Sequence, residues 1–375
     1  MEFRDLKRQY ERLSIDIDVA IKSVIGSANF IMGKPVMELE EQLAQYVGTK
    51  YCITCANGTD ALVLALKALG VKEGDAVFVP DFTFFASAEA VSVVGATPVF
   101  VDVDERTFNI SVLDLEQKIN IIKQEQILNP KVILTVDLFG LPANYIDIRA
   151  IACNYGLYII EDGAQGFGGA IKSQKACSFG DISTTSFFPS KSLGCYGDGG
   201  AVFTNNDDWA EMIKSYRLHG KGGFKYDNVR IGMNSRLDTL QAAILKVKLK
   251  AFADYELDNI NAIASKYTEL LSGVVVTPSV ADDFYSSWAQ YTVIFDNEEI
   301  RNNVQAELKN KGIPTMVYYP KPLHKQTAYM NLKSYNDAFP TTEKLSKTVL
   351  SLPINPYLND DEICMVANAV IELVL

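Results

Sequence analysis

The sequence predicts an α/β protein with a mostly parallel sheet, followed by a smaller α+β unit. Between residues 51 and 204, short apolar runs alternate with segments that carry a helical pattern. The runs are apolar throughout, which is typical of strands buried on both faces of a parallel sheet. From about Val274 the pattern changes, after a long helical stretch that forms a natural bridge. We therefore predict a large domain over residues 1–250 and a small domain over residues 251–375.

Each element is predicted from its local pattern. In residues 5–25, apolar side chains recur at helical spacing. Asn57 or Thr59 can cap the helix that follows residue 60, and Gly70 can end it. The other predicted helices cover residues 36–46, 61–70, 86–94, 112–122, 146–154, 207–218, 237–253 and beyond, 298–311 and 361–374, and the predicted strands cover residues 51–56, 76–80, 98–103, 131–139, 157–161, 200–204, 290–295 and 315–318.

Composition and charge limit the class of protein. The 375-residue chain has 48% hydrophobic and 22% charged residues, as ordinary globular proteins do. Its net charge of -11 argues against nucleic acid and anionic membranes as partners, because both need a basic face. The six cysteines show no paired framework, the charged N-terminus has no apolar signal core, and no segment approaches a membrane span. We therefore expect a cytoplasmic protein with reduced thiols.

The most informative stretch is residues 184–200, TTSFFPSKSLGCYGDGG, in which Lys191 follows two phenylalanines. Apolar neighbours strip water from an ammonium group, so we expect the pKa of Lys191 to be lowered. A neutral lysine is the nucleophile that imine chemistry with a carbonyl requires. The glycines that follow allow a flat cofactor to approach the backbone, or a sharp turn. Taken alone, the stretch also fits a loop whose lysine points into solvent.

Two further polar signals fall where predicted strands end. Gly58-Thr59 begins a helix, where free N–H groups and the positive end of the dipole suit a phosphate, although a plain helix cap fits as well. Glu161-Asp162-Gly163-Ala164-Gln165 follows an apolar run, so a carboxylate there either pairs with a protonated ring nitrogen or ends the strand. Ligands of parallel α/β sheets bind at this edge. A phosphate site, a carboxylate and a buried lysine are the parts that a pyridoxal phosphate site needs.

The motifs follow one another along nearly the whole chain. They are Phe3-Arg4-Asp5-Leu6, Asn57-Gly58-Thr59-Asp60-Ala61-Leu62, Glu161-Asp162 with Ala164-Gln165, Ser186-Phe187 with Lys191 and Leu193-Gly194, Gly197-Asp198-Gly199-Gly200, Asn234 with Arg236-Leu237, and Tyr319-Pro320 with Pro322-Leu323-His324. This set resembles the DegT/StrS family of nucleotide-sugar aminotransferases, which belong to the aspartate-aminotransferase-like, fold-type I pyridoxal phosphate enzymes. The resemblance implies a three-layer α/β/α large domain with a mostly parallel sheet, and a smaller α+β C-terminal domain.

The resemblance also implies the catalytic and cofactor-binding roles. Lys191 matches the Schiff-base lysine and Asp162 the partner of the pyridine nitrogen. Some relatives carry histidine in place of the lysine and dehydrate their substrate, so the lysine favours transamination. The remaining matches are to cofactor contacts: Gly58, Thr59 and Ser186 at the phosphate, Gln165 near the ring hydroxyl, and Phe84 stacked on the ring.

The same resemblance implies the assembly and the substrates. Asn234 matches a residue that reaches the phosphate from the partner subunit, so we expect a homodimer with shared active sites. The expected amino donor is L-glutamate, and no metal is expected. Within the family, the residues 186–200 and 234–241 are similar to bacterial enzymes that aminate the 3-keto position of a UDP-linked N-acetylated uronic acid for surface polysaccharides. A 4-keto-6-deoxy sugar or a dTDP-linked 3-keto sugar is the alternative.

Four residues are predicted to contact the sugar substrate. Arg236 can meet a sugar carboxylate or pyrophosphate, or form a salt bridge on the long helix. Tyr319 and His324 are expected to line the substrate pocket. Tyr318 stands where the subgroup is expected to carry histidine, which changes the contacts to the sugar.

Three other hypotheses remain open at this point. Asp102 and Asp104 form an Asp-x-Asp pair after a strand, which fits the metal site of a glycosyltransferase but fits an acidic turn better. Cys52 and Cys55 form a Cys-x-x-Cys pair, for which packing inside a buried strand is favoured over zinc or redox chemistry. A non-catalytic regulator of the same fold is less well supported, because every motif position that the family uses for its chemistry carries a suitable residue.

Overall fold

The computed structural model describes residues 1–224, 226–332 and 338–375. Twelve strands lie within these ranges. They are β1 (Tyr51–Cys55), β2 (Asp75–Pro80), β3 (Thr97–Val101), β4 (Asn129–Val136), β5 (Tyr158–Asp162), β6 (Ala170–Ile171), β7 (Gln174–Lys175), β8 (Ile182–Ser186), β9 (Gly200–Thr204), β10 (Phe284–Tyr285), β11 (Tyr291–Ile294) and β12 (Val349–Leu352).

The helices alternate with these strands in the first part of the chain. They are α1 (Leu6–Ser27), α2 (Lys34–Val47), α3 (Gly58–Ala68), α4 (Ala86–Val93), α5 (Val112–Glu125), α6 (Tyr145–Tyr155), α7 (Asp207–Tyr216), α8 (Thr239–Ala251), α9 (Leu257–Leu271), α10 (Glu298–Asn310), α11 (Pro340–Thr348) and α12 (Asp360–Val374).

Seven strands form the main sheet in the order β1-β9-β8-β5-β4-β2-β3. Its neighbours are parallel except for β9, which pairs antiparallel with both β1 and β8. In β2, Val77 and Val79 pack in one core with Leu64 of α3, whereas Phe78 packs in another core with Leu115 of α5. Since successive side chains of a strand face opposite sides, both faces of the sheet are covered by helices. The predicted three-layer α/β/α architecture with a mostly parallel sheet is confirmed.

The C-terminal part has a core of its own. Ile260 on α9, Tyr291 on β11, Leu350 on β12 and Val366 on α12 belong to one buried cluster. Helix α8 runs through a π-helical turn at Phe252–Glu256 directly into α9, so the long bridging helix is confirmed. The boundary that we place near residue 251 falls at this turn and stays a proposal.

Some elements differ from the sequence-based expectation. The strand predicted at residues 315–318 is wrong, because only Met316 pairs there, in an isolated bridge to Ser351. The strand predicted over residues 131–139 ends at Val136, and a short 3-10 turn follows at Leu138–Gly140. Strands β6, β7, β8, β10 and β12 and helix α11 were not predicted. Throughout the described ranges, no helix is long and apolar enough to span a membrane.

Candidate active site

The predicted cofactor residues gather at the carboxyl edge of the central strands. Asp162 is the last residue of β5 and Ser186 the last residue of β8. Phe84 follows β2, and Lys191 lies in the loop between β8 and β9. In doubly wound sheets this edge is where ligands bind.

A cradle of small residues forms at the start of α3. Asn57 caps the helix by accepting a hydrogen bond from the backbone N–H of Asp60 at 2.8 Å. An added Cβ at Gly58 would lie 2.7 Å from Ser186 Cβ, so the two residues touch. An added Cβ at Gly200 would lie 2.5 Å from the carbonyl oxygen of Asn57. Only glycine at positions 58 and 200 therefore leaves the helix terminus and the Ser186 hydroxyl open to an anion.

Asp162 is buried and held in one orientation. Its Oδ2 accepts a hydrogen bond from Ser87 Oγ at 2.9 Å, and its Oδ1 accepts one from the backbone N–H of Ala164 at 3.1 Å. Burial raises the pKa of the carboxyl group, while these hydrogen bonds and the nearby Lys191 lower it. A carboxylate in these surroundings attracts a cationic partner strongly, because little water screens it.

The pKa of Lys191 is shifted in the direction that the sequence predicted. Burial lowers its pKa, the charge of Asp162 raises it, and the charge of Arg4 lowers it, with a net shift downward. Phe187 is fully buried, whereas Phe188 is 51% exposed. The amine is therefore biased toward its neutral, nucleophilic form by burial and by a neighbouring cation.

Gln165 joins two elements of the site. Its Oε1 accepts a hydrogen bond from the backbone N–H of Phe139 at 2.8 Å, and its Nε2 donates one to the hydroxyl of Tyr319 at 3.0 Å. The Tyr319 ring lies 6.3 Å from the ring of Phe84, centroid to centroid. Phe84 is 56% exposed, so one face of this aromatic group remains open to a flat ligand.

The other predicted residues differ in their exposure and in their contacts. Asn234 is exposed, and Arg236 is partly exposed with no hydrogen bond or ion pair to any described residue. Tyr318 packs edge-on against Phe3, with ring centroids 6.3 Å apart. The Nδ1 of His324 lies 2.5 Å from Asp81 Oδ2, and its ring stacks on Phe339, so both contacts fix its orientation.

The rival motifs have structural roles. Asp102 accepts hydrogen bonds from the backbone N–H groups of Thr341 and Thr342 at the start of α11. Asp104 accepts hydrogen bonds from the Arg106 and Thr107 backbone N–H groups, as the acidic-turn hypothesis expected. Cys52 and Cys55 are buried free thiols. No cluster of three metal-ligating side chains occurs among the described residues.

These residues fit pyridoxal phosphate. The glycine cradle and hydroxyl at the α3 terminus suit the phosphate, Asp162 suits the ring nitrogen, and the amine of Lys191 suits the aldehyde. Such an arrangement at the strand ends of this sheet defines a fold-type I pyridoxal phosphate enzyme.

Comparison with known proteins agrees with this class. A family model described as the DegT/DnrJ/EryC1/StrS aminotransferase family matches residues 13–371. The UDP-2-acetamido-2-deoxy-3-oxo-D-glucuronate aminotransferase of Pseudomonas aeruginosa is 45% identical over 98% of this chain and 99% of its own. A UDP-N-acetyl-3-dehydro-alpha-D-glucosamine 3-aminotransferase of Acidithiobacillus ferrooxidans is 38% identical over 98% of this chain and 96% of its own. A crystal structure of a family member from Brucella abortus superimposes with a TM-score of 0.97 at 45% identity, covering 100% of this chain and 99% of that one.

The chain therefore belongs to the DegT/DnrJ/EryC1/StrS aminotransferase family. It is a pyridoxal-phosphate-dependent nucleotide-sugar aminotransferase, as its sequence predicted. Two contacts of the site were not predicted from sequence: Ser87 binds Asp162, and Arg4 lies beside Lys191. Arg4 belongs to the Phe3-Arg4-Asp5-Leu6 motif, which gave a signal for the family and none for this contact.

Proposed function

We propose that this enzyme transfers the amino group of L-glutamate to the 3-keto group of a UDP-linked N-acetyl-hexuronic acid. The product would enter a bacterial surface polysaccharide such as the O-antigen of lipopolysaccharide. The observation that carries the proposal is the similarity, along almost the whole chain, to the Pseudomonas aeruginosa aminotransferase. The guanidinium of Arg236, which no described residue neutralises, supports an acidic sugar or its pyrophosphate as the binding partner.

Asp162 and Lys191 have different roles in the reaction: Asp162 acts on the ring of the cofactor, and Lys191 transfers a proton. The bound cofactor supplies a ring that accepts the electron pair left when the α C–H bond of the donor breaks. Asp162 would hold the ring by accepting a hydrogen bond from its nitrogen, and would keep a proton there. Lys191 Nζ takes up the proton from the α-carbon of the donor and returns it, acting as a general base and then a general acid. The burial of Asp162 and the partial burial of Lys191 limit the access of water to this proton transfer.

Further roles of the predicted residues are part of the proposal. Gly58, Thr59 and Ser186 bind the phosphate, Gln165 contacts the ring hydroxyl, and Phe84 covers one ring face. The open face of Phe84 and the hydrogen bond between Gln165 and Tyr319 support these roles. Arg236, Tyr318, Tyr319 and His324 contact the sugar nucleotide.

A substrate panel tests the sugar. The enzyme is first converted to its amine form with L-glutamate and freed of products, and then mixed with single keto sugar nucleotides. Return of the visible absorption of the original cofactor form reports amino transfer. We expect the return with the UDP-linked 3-keto uronic acid. A return only with 4-keto-6-deoxy or dTDP-linked 3-keto sugars would assign the enzyme to those substrates instead.

We also propose that the enzyme is a cytoplasmic homodimer whose active sites are completed by Asn234 of the partner subunit. Phe224 and Ile231, which are 81% and 86% exposed, lie close to Asn234 in sequence and supply apolar surface for a subunit interface.

Complementation tests the shared site. Lys191→Ala and Asn234→Ala subunits are each expected to be inactive. Mixing them at equal ratio should restore about one quarter of wild-type activity, because half of the dimers then contain one intact composite site. No recovery after verified subunit exchange would contradict the shared site.

A further inference from the structure

A small polar cavity lies beside Lys191, between the N-terminal segment and the C-terminal region. Arg4, Gln9, Lys191, Asn355 and Tyr357 are among the residues that line it. It offers about 10 Å³ to the centre of a water-sized sphere, which is the room that one water molecule needs. The cavity therefore admits a ligand of very few atoms.

Three side chains of this cavity each have one buried polar atom without a hydrogen-bond partner among the described residues. These atoms are Arg4 Nη1, Gln9 Oε1 and Asn355 Nδ2. Leaving such atoms unsatisfied costs about 1–3 kcal/mol each, so native proteins rarely do so. Three of them around one cavity indicate a bound ligand.

The hydrogen-bonding partners fix the orientation of both amide groups. Gln9 Nε2 donates to Glu256 Oε1 at 2.9 Å, which leaves Gln9 Oε1 as an acceptor. Asn355 Oδ1 accepts from the backbone N–H of Tyr357 at 3.0 Å, which leaves Asn355 Nδ2 as a donor. The cavity thus presents two donors and one acceptor. A water molecule satisfies all three atoms, whereas an anion would be repelled by Gln9 Oε1.

Arg4 also contacts the reactive loop directly. Its Nη2 donates a hydrogen bond to the backbone carbonyl of Lys191 at 3.2 Å. Burial lowers the pKa of Arg4 to about 10, and the charges of Glu256 and Tyr318 oppose that shift. The guanidinium is thus a cation held at the Lys191 backbone through Nη2, while its Nη1 has no partner among the described residues.

The groups that act on Lys191 come from two elements. Asp162 at the end of β5 favours the charged form of the amine, and Arg4 in the N-terminal segment disfavours it. The charge of Arg4 also acts on the buried Lys248, whose pKa is lowered to about 8 mainly by burial. Glu256 is the anion that faces both cations.

We propose that Arg4 is a positioning residue for Lys191, and that it acts through its hydrogen bond to the Lys191 carbonyl and through one ordered water. The water accepts hydrogen bonds from Arg4 Nη1 and Asn355 Nδ2 and donates one to Gln9 Oε1. This arrangement ties the N-terminal segment to the loop of the reactive amine. It rests on the proposed role of Lys191, but it is independent of which sugar is aminated.

A crystal structure of the loaded enzyme, soaked with bromide, tests the ligand. We expect one density peak within hydrogen-bond distance of all three atoms and no anomalous bromide signal there. A bromide signal would replace water by an anion and overturn the assignment. An Arg4 side chain turned away from the cavity would overturn the proposal as a whole.

Spectral titration of the loaded enzyme tests the effect on Lys191. The visible absorption of the bound cofactor changes when the Lys191 nitrogen loses its proton, so its midpoint against pH reports the local charge. In Arg4→Met the repelling cation is gone, and we expect the midpoint to move to higher pH. Arg4→Lys keeps the charge with fewer hydrogen bonds, so its midpoint should lie closer to that of the wild type.

Arg8→Met is the matched control. Arg8 lies in the same N-terminal region, pairs with Glu362 and donates a hydrogen bond to the carbonyl of Tyr357 at the cavity, but does not contact Lys191. It should leave the midpoint unchanged even if it loosens the N-terminal segment. An equal shift in Arg4→Met and Arg8→Met would show a general structural effect and contradict the proposal, as would no shift in Arg4→Met. If Arg4→Met fails to fold, the titration midpoint of Arg4→Lys and the density in the crystal structure still test the proposal.

Discussion

Replacing Asp162 with asparagine separates the charge of this side chain from its shape. Asparagine can still accept the hydrogen bond from the Ala164 backbone, and its Nδ2 can donate to Ser87 Oγ, so we expect the fold to be retained. What is lost is the charged hydrogen bond that we propose between Asp162 and the ring nitrogen. Such bonds contribute about 1.5–3 kcal/mol. At 1.36 kcal/mol per tenfold, the rate of the half-reaction should fall about 10- to 150-fold.

The assay is single-turnover conversion of the loaded enzyme by L-glutamate, followed by absorbance. Ser87→Ala is the graded control, because it removes one hydrogen bond to Asp162 and keeps the charge. Loss of one hydrogen bond from a neutral hydroxyl costs about 0.5–1.5 kcal/mol. We therefore expect the half-reaction of Ser87→Ala to be roughly 2- to 10-fold slower than that of the wild type. Asp162→Asn should also lower the midpoint of the Lys191 titration, because Asp162 raises that pKa in the wild type. A half-reaction at the wild-type rate in a folded Asp162→Asn enzyme would refute the role of this carboxylate.

The remaining predictions concern the cradle, the N-terminal ion pair and the glutamine. Gly58→Val should weaken binding of pyridoxal phosphate at least ~10-fold, because even a Cβ would lie 2.7 Å from Ser186 Cβ, whereas Gly26→Ala, with nothing within 4 Å, should bind normally in the same absorbance titration. Hydrogen bonds from Arg8 hold the pKa of Glu362 below its usual value, so this pair stabilises the fold above the ordinary glutamate pKa and the stabilisation is lost as pH falls through the lowered value. In Arg8→Met, the free energy of unfolding from urea melts should therefore fall less between pH 7 and acidic pH than it does in the wild type. An equal fall in both proteins would count against the pair. Gln165→Leu, which leaves the Tyr319 hydroxyl and the Phe139 N–H unpaired, should destabilise the chain by about 1–3 kcal/mol in urea melts, and a neutral effect would show that this bridge is not formed.

The sheet could be predicted because its strands carry their own signal. The run at residues 76–80, for example, is apolar throughout and completely buried, because both of its faces are covered. Strand β8, with the sequence ISTTS, carries no such signal. Its buried hydroxyls are satisfied by long-range partners, as where Ser183 Oγ donates to Glu161 at 2.7 Å, and that contact exists only in the folded sheet.

The site shows the same division between local and long-range information. Lys191, Asp162 and the Gly58 cradle could be predicted because each motif has a local pattern and the set has a fixed order. The contact between Ser87 and Asp162 joins residues 75 positions apart, and that between Arg4 and Lys191 joins residues 187 apart. Neither contact leaves a local signal, because each depends on how the helices and the N-terminal segment pack on the finished sheet.

Borohydride reduction of the loaded enzyme is the most direct test of the central claim, which is that Lys191 carries pyridoxal phosphate. Reduction fixes the cofactor to the side chain that holds it, and peptide mass spectrometry then locates the added mass. We predict one modified peptide, with the cofactor on Lys191, and none in Lys191→Ala. A reduced cofactor on another lysine, or a protein that takes up no cofactor at all, would contradict the account.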